Sequence, residues 1–122
     1  MQITKDGNGF WIGIKSNGQK IMPIGGYTEN HRKVVYSDDN LIIFEGKSNF
    51  GESNEHVKQL KKYTIYEING TNPKEKSTIE GCQDFLGITT DGKIKLKKQD
   101  GKNYWAENFD LEGKKLDVIL VQ

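Results

Sequence analysis

Apolar and polar positions alternate with a period of two along several short runs of this chain, which is the pattern of half-buried strands. The clearest run is Phe10 to Ile24, FWIGIKSNGQKIMPI. Trp11, Ile12 and Ile14 suit a pleated surface. Asn17-Gly18 then supplies the pair that a two-residue type I′ turn needs, and Ile21, Met22 and Ile24 restart the apolar content. Pro23 cannot donate to a ladder, so the second strand is expected at a sheet edge. The same grammar returns at Phe85 to Leu96, FLGITTDGKIKL. At a shift of 74 positions Trp11 meets Phe85, Gly13 meets Gly87, and Asn17-Gly18 meets Asp91-Gly92. Two hairpins of one design, or one internal repeat, are expected there.

The rest of the chain extends this reading. Residues 1–9 are polar and end in the turn sequence Asp6-Gly7-Asn8-Gly9. Val34 to Tyr36 reads as a short strand, and Ser37 to Asn40 as a turn. Leu41 to Glu45 is almost continuously apolar, which predicts a central strand buried on both faces. Val57 and Leu60 lie three apart behind Ser53, with Lys61-Lys62 following, so a short helix is expected over about 54–62. Tyr63 to Ile68 is a strand closed by Asn69-Gly70. Thr71 to Glu80, polar and carrying Pro73, reads as a loop. Strands at 85–90, 93–98, 102–109 and 114–121 follow, separated by Asp91-Gly92, Asp100-Gly101 and Glu112-Gly113. Turn signals every 8–12 residues mark a β-meander. The expectation is one all-β domain over residues 1–122, an antiparallel meander of nine or ten strands forming a sandwich or small barrel.

Composition agrees. There are 13 Ile and 5 Val against 7 Leu and a single Ala, a balance that favours strands over helices. Lys+Arg 18 against Asp+Glu 17 leaves +1, and seventeen of the cations are Lys. A near-neutral chain with Arg32 as its one arginine is a poor candidate for nucleic acid. Cys82 is alone, which excludes an internal disulfide. No apolar run approaches the length of a membrane span. With Met1 as the true start, the expected location is the cytoplasm.

Candidate chemistry is sparse. His31, His56 and Cys82 are too few and too scattered for zinc, and no local context marks Cys82 as a nucleophile. No phosphate-cradling glycine motif occurs, so neither a cofactor nor a metal is expected. The run Lys93, Lys95, Lys97, Lys98 and Lys102, near Tyr104 and Trp105, has the elements of a nucleic-acid platform. Its alternation with Ile94 and Leu96 instead reads as the solvated face of a half-buried strand. A cluster of acids and aromatics, Tyr27, Glu29, Tyr36, Asp38, Asp39, Glu45, Glu52 and Glu55, falls mostly in loops of the first half and is the candidate partner-binding surface.

Trp11, Gly13, Gly18, Lys20, Ile21 and Pro23 together resemble a WG-type β-repeat, with Phe85 in place of the Trp in the second copy and a looser third echo at Tyr104 to Leu116. That resemblance implies a repeated β-hairpin and supplies no active site. In style the chain is also similar to the small bacterial immunity proteins of contact-dependent and polymorphic toxin systems. This resemblance implies a cytoplasmic, non-enzymatic protein that binds a cognate toxin, such as a nuclease, and blocks its active site. The alternatives are a small-ligand-binding β-barrel with an enzymatic role, and a carbohydrate- or nucleic-acid-binding module built on Trp11 or Trp105. The sequence assigns no oligomeric state.

Overall fold

A computed structural model describes residues 1–26, 31–47, 60–82, 84–100 and 102–120. Among these, eleven strands form three antiparallel sheets, each a meander of chain neighbours. The first sheet joins β1 (Gln2–Lys5), β2 (Phe10–Ile14) and β3 (Lys20–Gly26). The second joins β4 (Lys33–Ser37), β5 (Leu41–Lys47), β6 (Lys61–Asn69) and β7 (Asn72–Cys82). The third joins β8 (Asp84–Ile88), β9 (Ile94–Asp100), β10 (Asn103–Phe109) and β11 (Lys115–Leu120). No closed barrel is formed by the described residues.

The second sheet lies between the other two, and its central strands show why. Side chains alternate across a strand. In β5, Leu41 and Ile43 point to one face, Ile42 and Phe44 to the other, and all four are buried. Leu41, Ile43, Tyr63, Ile65 and Ile79 close against Ile94, Leu96 and Phe109 of the third sheet. Ile42, Phe44, Tyr66 and Ile68 close against Trp11, Ile21 and Ile24 of the first. The expected central, doubly buried strand is therefore present. Burying one such side chain contributes about 1.5–3 kcal/mol.

The two similar hairpins are the covers of this middle sheet. Trp11 stacks on Phe44 from one side, with ring centroids 5.6 Å apart. Phe85 lies 6.3 Å from Tyr36 and 6.4 Å from Tyr63 on the other side. In each hairpin the register slips directly after the aromatic, at Ile12 and at Leu86. Gly13 follows the first slip because an added Cβ would lie 2.9 Å from the Met1 sulfur and 3.1 Å from Ile3. Pro23 sits on β3, an edge strand as expected.

The turns differ from the type I′ expectation. Lys15 N–H donates to the Gln19 carbonyl and Gly18 N–H to the Lys15 carbonyl, each at 2.9 Å. Thr89–Lys93 and Asp110–Lys114 repeat this pattern at 2.8–3.0 Å. Only the fourth residue of each has positive φ: Gly18 (88°), Gly92 (82°) and Gly113 (83°). A type I′ turn needs positive φ at two successive residues, and no non-glycine residue here has it. The geometry is instead a type I turn followed by a left-handed glycine that forms a bulge. The third copy of this loop falls within the Tyr104 to Leu116 echo.

Two segments expected to lack structure are strands. Gln2–Lys5 pairs with β2 through a single inward Ile3, too little apolar content to show as a period. Asn72–Cys82, read as loop because of Pro73, pairs with β6 along its length. Asn69 and Asn72 close a two-residue turn, and the next pair is Ile68 with Pro73. Antiparallel pairs alternate, so the missing Pro73 N–H falls where an amide would face the open edge. The expected helix over 54–62 lies outside the described residues up to position 59. Leu60 belongs to no element, and Lys61-Lys62 open β6, where pairing with β5 and β7 claims their backbone.

Ile42→Ala and Ile43→Ala open cavities on opposite faces, and each is expected to cost about 2–5 kcal/mol. In urea each is expected to shift one common transition, because the two cores share a sheet; separate transitions for tryptophan fluorescence and far-UV dichroism would show that the layers unfold independently. Gly18 has open space around it, so Gly18→Ala is expected to cost only the left-handed penalty, about 1–2 kcal/mol. Gly113→Ala is expected to cost more in the same thermal melts, since its Cβ would also press on Ser77 at 3.3 Å.

Candidate functional site

Strand direction gathers five turns at one end of the molecule. The middle sheet contributes the Asp38–Asn40 turn and the Gly70-Thr71 turn, tied by Ile68 N–H donating to the Asn40 carbonyl at 2.9 Å. The third sheet contributes the loops 89–93 and 110–114. Ser77 Oγ donates to the Leu111 carbonyl at 2.9 Å, and Lys76 pairs with Glu112 at 3.4 Å, fastening the last loop to β7. The first sheet contributes loop 15–19, whose Ser16 N–H and hydroxyl donate to Asp39.

Three of these turns, the Asp38–Asn40 turn and loops 89–93 and 110–114, border a cleft of about 340 Å³ together with the end of β6. Leu41 and Leu111 supply its apolar side chains; Ile68 borders it too, with its own side chain buried in the opposite core. Asp38, Asn40, Glu67 and Asn69 form its polar lining, and Gly92 closes one side. Of the candidate partner-binding residues, Tyr36, Asp38 and Asp39 come together here. Asp38 Oδ1 accepts the Asn40 and Leu41 N–H groups at 2.7 and 2.8 Å, and Oδ2 accepts the Tyr36 hydroxyl at 2.7 Å. That bond to Asp38 raises the Tyr36 phenol above its usual range. Asp38 is thus a structural cap as well as a cleft wall. Asp39 lies beside it, 3.6 Å from the amino group of Met1. The Ser16 hydroxyl and amide hold its carboxyl below the usual carboxylate range.

Glu45 is not part of this end. It sits four residues beyond Leu41 on β5, about 13 Å along the strand. There it accepts the Tyr63 hydroxyl at 2.9 Å and pairs with Lys61 at 3.4 Å. Tyr27, Glu29, Glu52 and Glu55 lie outside the described residues. Sequence reasoning missed Glu67, Asn40 and Asn69. A carboxylate one position before a buried Ile on a strand that faces the core was the available signal.

The remaining candidates have structural explanations. Ile94 and Leu96 are fully buried, while Lys95 and Lys97 occupy the opposite face of β9, as the alternation implied. Lys97 rests over Tyr104, 4.8 Å from the ring centre. Trp11 is buried and donates its indole N–H to the His31 carbonyl at 2.8 Å. Trp105 is half-buried and donates to Glu107 at 2.9 Å. Among the described residues no group of three or more His, Cys, Asp or Glu is placed to hold a metal ion. None of their helices is long and apolar enough to cross a membrane.

His31 belongs to the first core. Its ring meets Phe44 edge-on at 4.8 Å, and Nε2 lies 3.2 Å from the Tyr66 hydroxyl. Burial lowers its pKa, with Lys62 adding to the effect and Glu75 opposing it. The unfolded chain therefore takes up a proton at His31 before the folded protein does. Stability is expected to be fully present above pH about 6.5 and to fall as pH drops through the window below it. Urea midpoints at pH 7.5 and 5.5 would test this. His31→Gln should flatten the pH dependence, and an unchanged slope would place the titration elsewhere.

No family model matches the chain, and neither does any curated protein or solved structure.

Proposed function

We propose that this protein is a protein-binding module that neutralises a toxic partner, in the manner of an immunity protein, by covering a basic active cleft in the cytoplasm. It acts by occupancy rather than by catalysis. One observation carries the reading. Five turns converge on one end, and the cleft among them, bordered by the Asp38–Asn40 turn and loops 89–93 and 110–114, is lined by carboxylate and amide side chains over an apolar floor, with no cationic residue in its lining. Turns fixed by a rigid sheet framework are common carriers of binding residues. The loops are individually braced: Asp110 Oδ1 accepts the Glu112 and Lys114 N–H groups at 3.0 and 2.9 Å, and Thr89 accepts the Lys93 N–H at 2.9 Å. Such bracing reduces the ordering cost of association. An end of this breadth suits a protein interface of standard size, about 800 Å² per partner.

Affinity capture from the source cell's lysate and secreted fraction is expected to return one stoichiometric protein whose toxicity is relieved by co-expression. Asp39→Lys is expected to slow association with that protein several-fold and to flatten its salt dependence, with little change in dissociation. Capture of no protein by the folded bait, or of a partner whose toxicity persists, would overturn the proposal.

A further inference from the structure

The cleft has an uneven chemistry. Asp38 is committed internally to Tyr36 and to two backbone amides. Glu67 is not. It is partly exposed, and among the described residues its carboxylate makes no hydrogen bond and no ion pair within 4 Å. Lys74 is its cross-strand neighbour in the β6–β7 register and forms no ion pair with it. Beside Glu67, on the same face of the middle sheet, stands its cross-strand partner Leu41, with Leu111 opposite on the third sheet. An apolar slot that ends at an unused carboxylate matches a side chain with a hydrocarbon stem and a cationic head.

We propose that this cleft receives one long cationic side chain, arginine or lysine, of the partner protein. The proposal rests on the reading of this end as the partner-binding face. The stem lies against Leu41 and Leu111, and the head donates to Glu67 in a charge-assisted hydrogen bond. The Asn40 and Asn69 side-chain oxygens are available at the rim. The volume, about 340 Å³, falls at the lower end of ligand pockets, which run from about 300 to 1,000 Å³, and suits a side chain better than a large cofactor. A solvent-exposed ion pair alone gives little affinity. The surrounding turns must then be covered by the same partner, which excludes water from the pair.

The cleft can be tested without the partner. Amide NMR spectra would be recorded during titration with N-acetyl-arginine methylamide and, separately, with its neutral citrulline analogue. The expected result is saturable shifts at Asn40, Leu41, Ile68, Asn69 and Gly92, with the arginine compound binding a few-fold more tightly than the citrulline one, the preference an uncovered ion pair supplies. Glu67→Gln should remove that preference while leaving the thermal midpoint unchanged, since the carboxylate supports nothing in the fold. Equal binding of the two compounds, shifts confined to other residues, or tighter binding of free spermidine than of the arginine compound would overturn the proposal. With a captured partner, Glu67→Gln and Glu67→Lys should weaken the complex by about tenfold or more. A complex indifferent to both but sensitive to Asp39→Lys would overturn the cleft while leaving the interface in place. Absence of any captured protein bears on the interface, and the arginine titration still decides the cleft.

Discussion

A sheet buried on both faces must offer apolar side chains in both registers, and that requirement governs this molecule. β5 meets it with Leu41, Ile42, Ile43 and Phe44 in succession, and β6 meets it with Tyr63, Ile65, Tyr66 and Ile68. Few other stretches of the chain could. The outer sheets need only one apolar face, so Ile94 and Leu96 alternate with lysines. A chain with modest apolar content thereby builds two cores by using its central strands twice. The cost appears at Thr64, whose hydroxyl is buried beside Phe44 in register and has no hydrogen-bond partner among the described residues.

The aromatic polar groups near the cores are handled by local pairing. Trp11 reaches a backbone carbonyl, His31 meets a tyrosine hydroxyl, and Tyr63 meets Glu45. Each of these aromatics has an apolar body inside and a polar end satisfied at the margin of the layer. The proposed interface end follows another logic. There the side chains that point away from the framework are mostly short acids and amides on or beside braced turns, and the carboxylate that projects into the cleft from a core strand is Glu67. Framework and proposed binding surface overlap at Leu41 and at the capping Asp38, whereas the side chains of Glu67, Asn40 and Asn69 stand outside the buried cores.

Much of the fold was legible in the sequence because its strongest signals were local. Alternation gave β2, β3 and β9, a continuous apolar run gave the doubly buried β5, and glycine pairs marked the turns. What was illegible depended on partners distant in sequence. β1 and β7 are polar strands held by the ladder of a neighbour, and nothing in QITK or NPKEKSTIEG announces that neighbour. The turn class was misjudged because Asn-Gly and Asp-Gly serve two hairpin geometries, and the residues flanking the pair decide between them. The candidate site was half legible. Tyr36, Asp38 and Asp39 were identified as loop acids and aromatics, yet Glu67 became visible only when β6 was laid beside the third sheet. Glu45 carried the same signal as Asp38 and turned out to be a core-margin acceptor, because sequence alone does not say which end of a strand faces which loops.

The recurring five-residue loop has a consequence for how such a molecule can diverge. Its shape is set by two backbone hydrogen bonds and one left-handed glycine, and its first residue can add a brace. The second and third positions carry different residues in each copy, Ser16 and Asn17, Thr90 and Asp91, Leu111 and Glu112, and several add contacts of their own: Asn17 accepts the Gln19 N–H at 3.0 Å, Asp91 accepts the Thr89 hydroxyl, and Leu111 packs on the core. They form an alphabet that can be rewritten while the grammar of the hairpin is kept. Three such loops at one end give six positions where the residue has changed while the loop's hydrogen-bond pattern has not. A lineage under pressure to follow a changing partner could explore that surface one residue at a time, with the course of the loop backbone kept throughout.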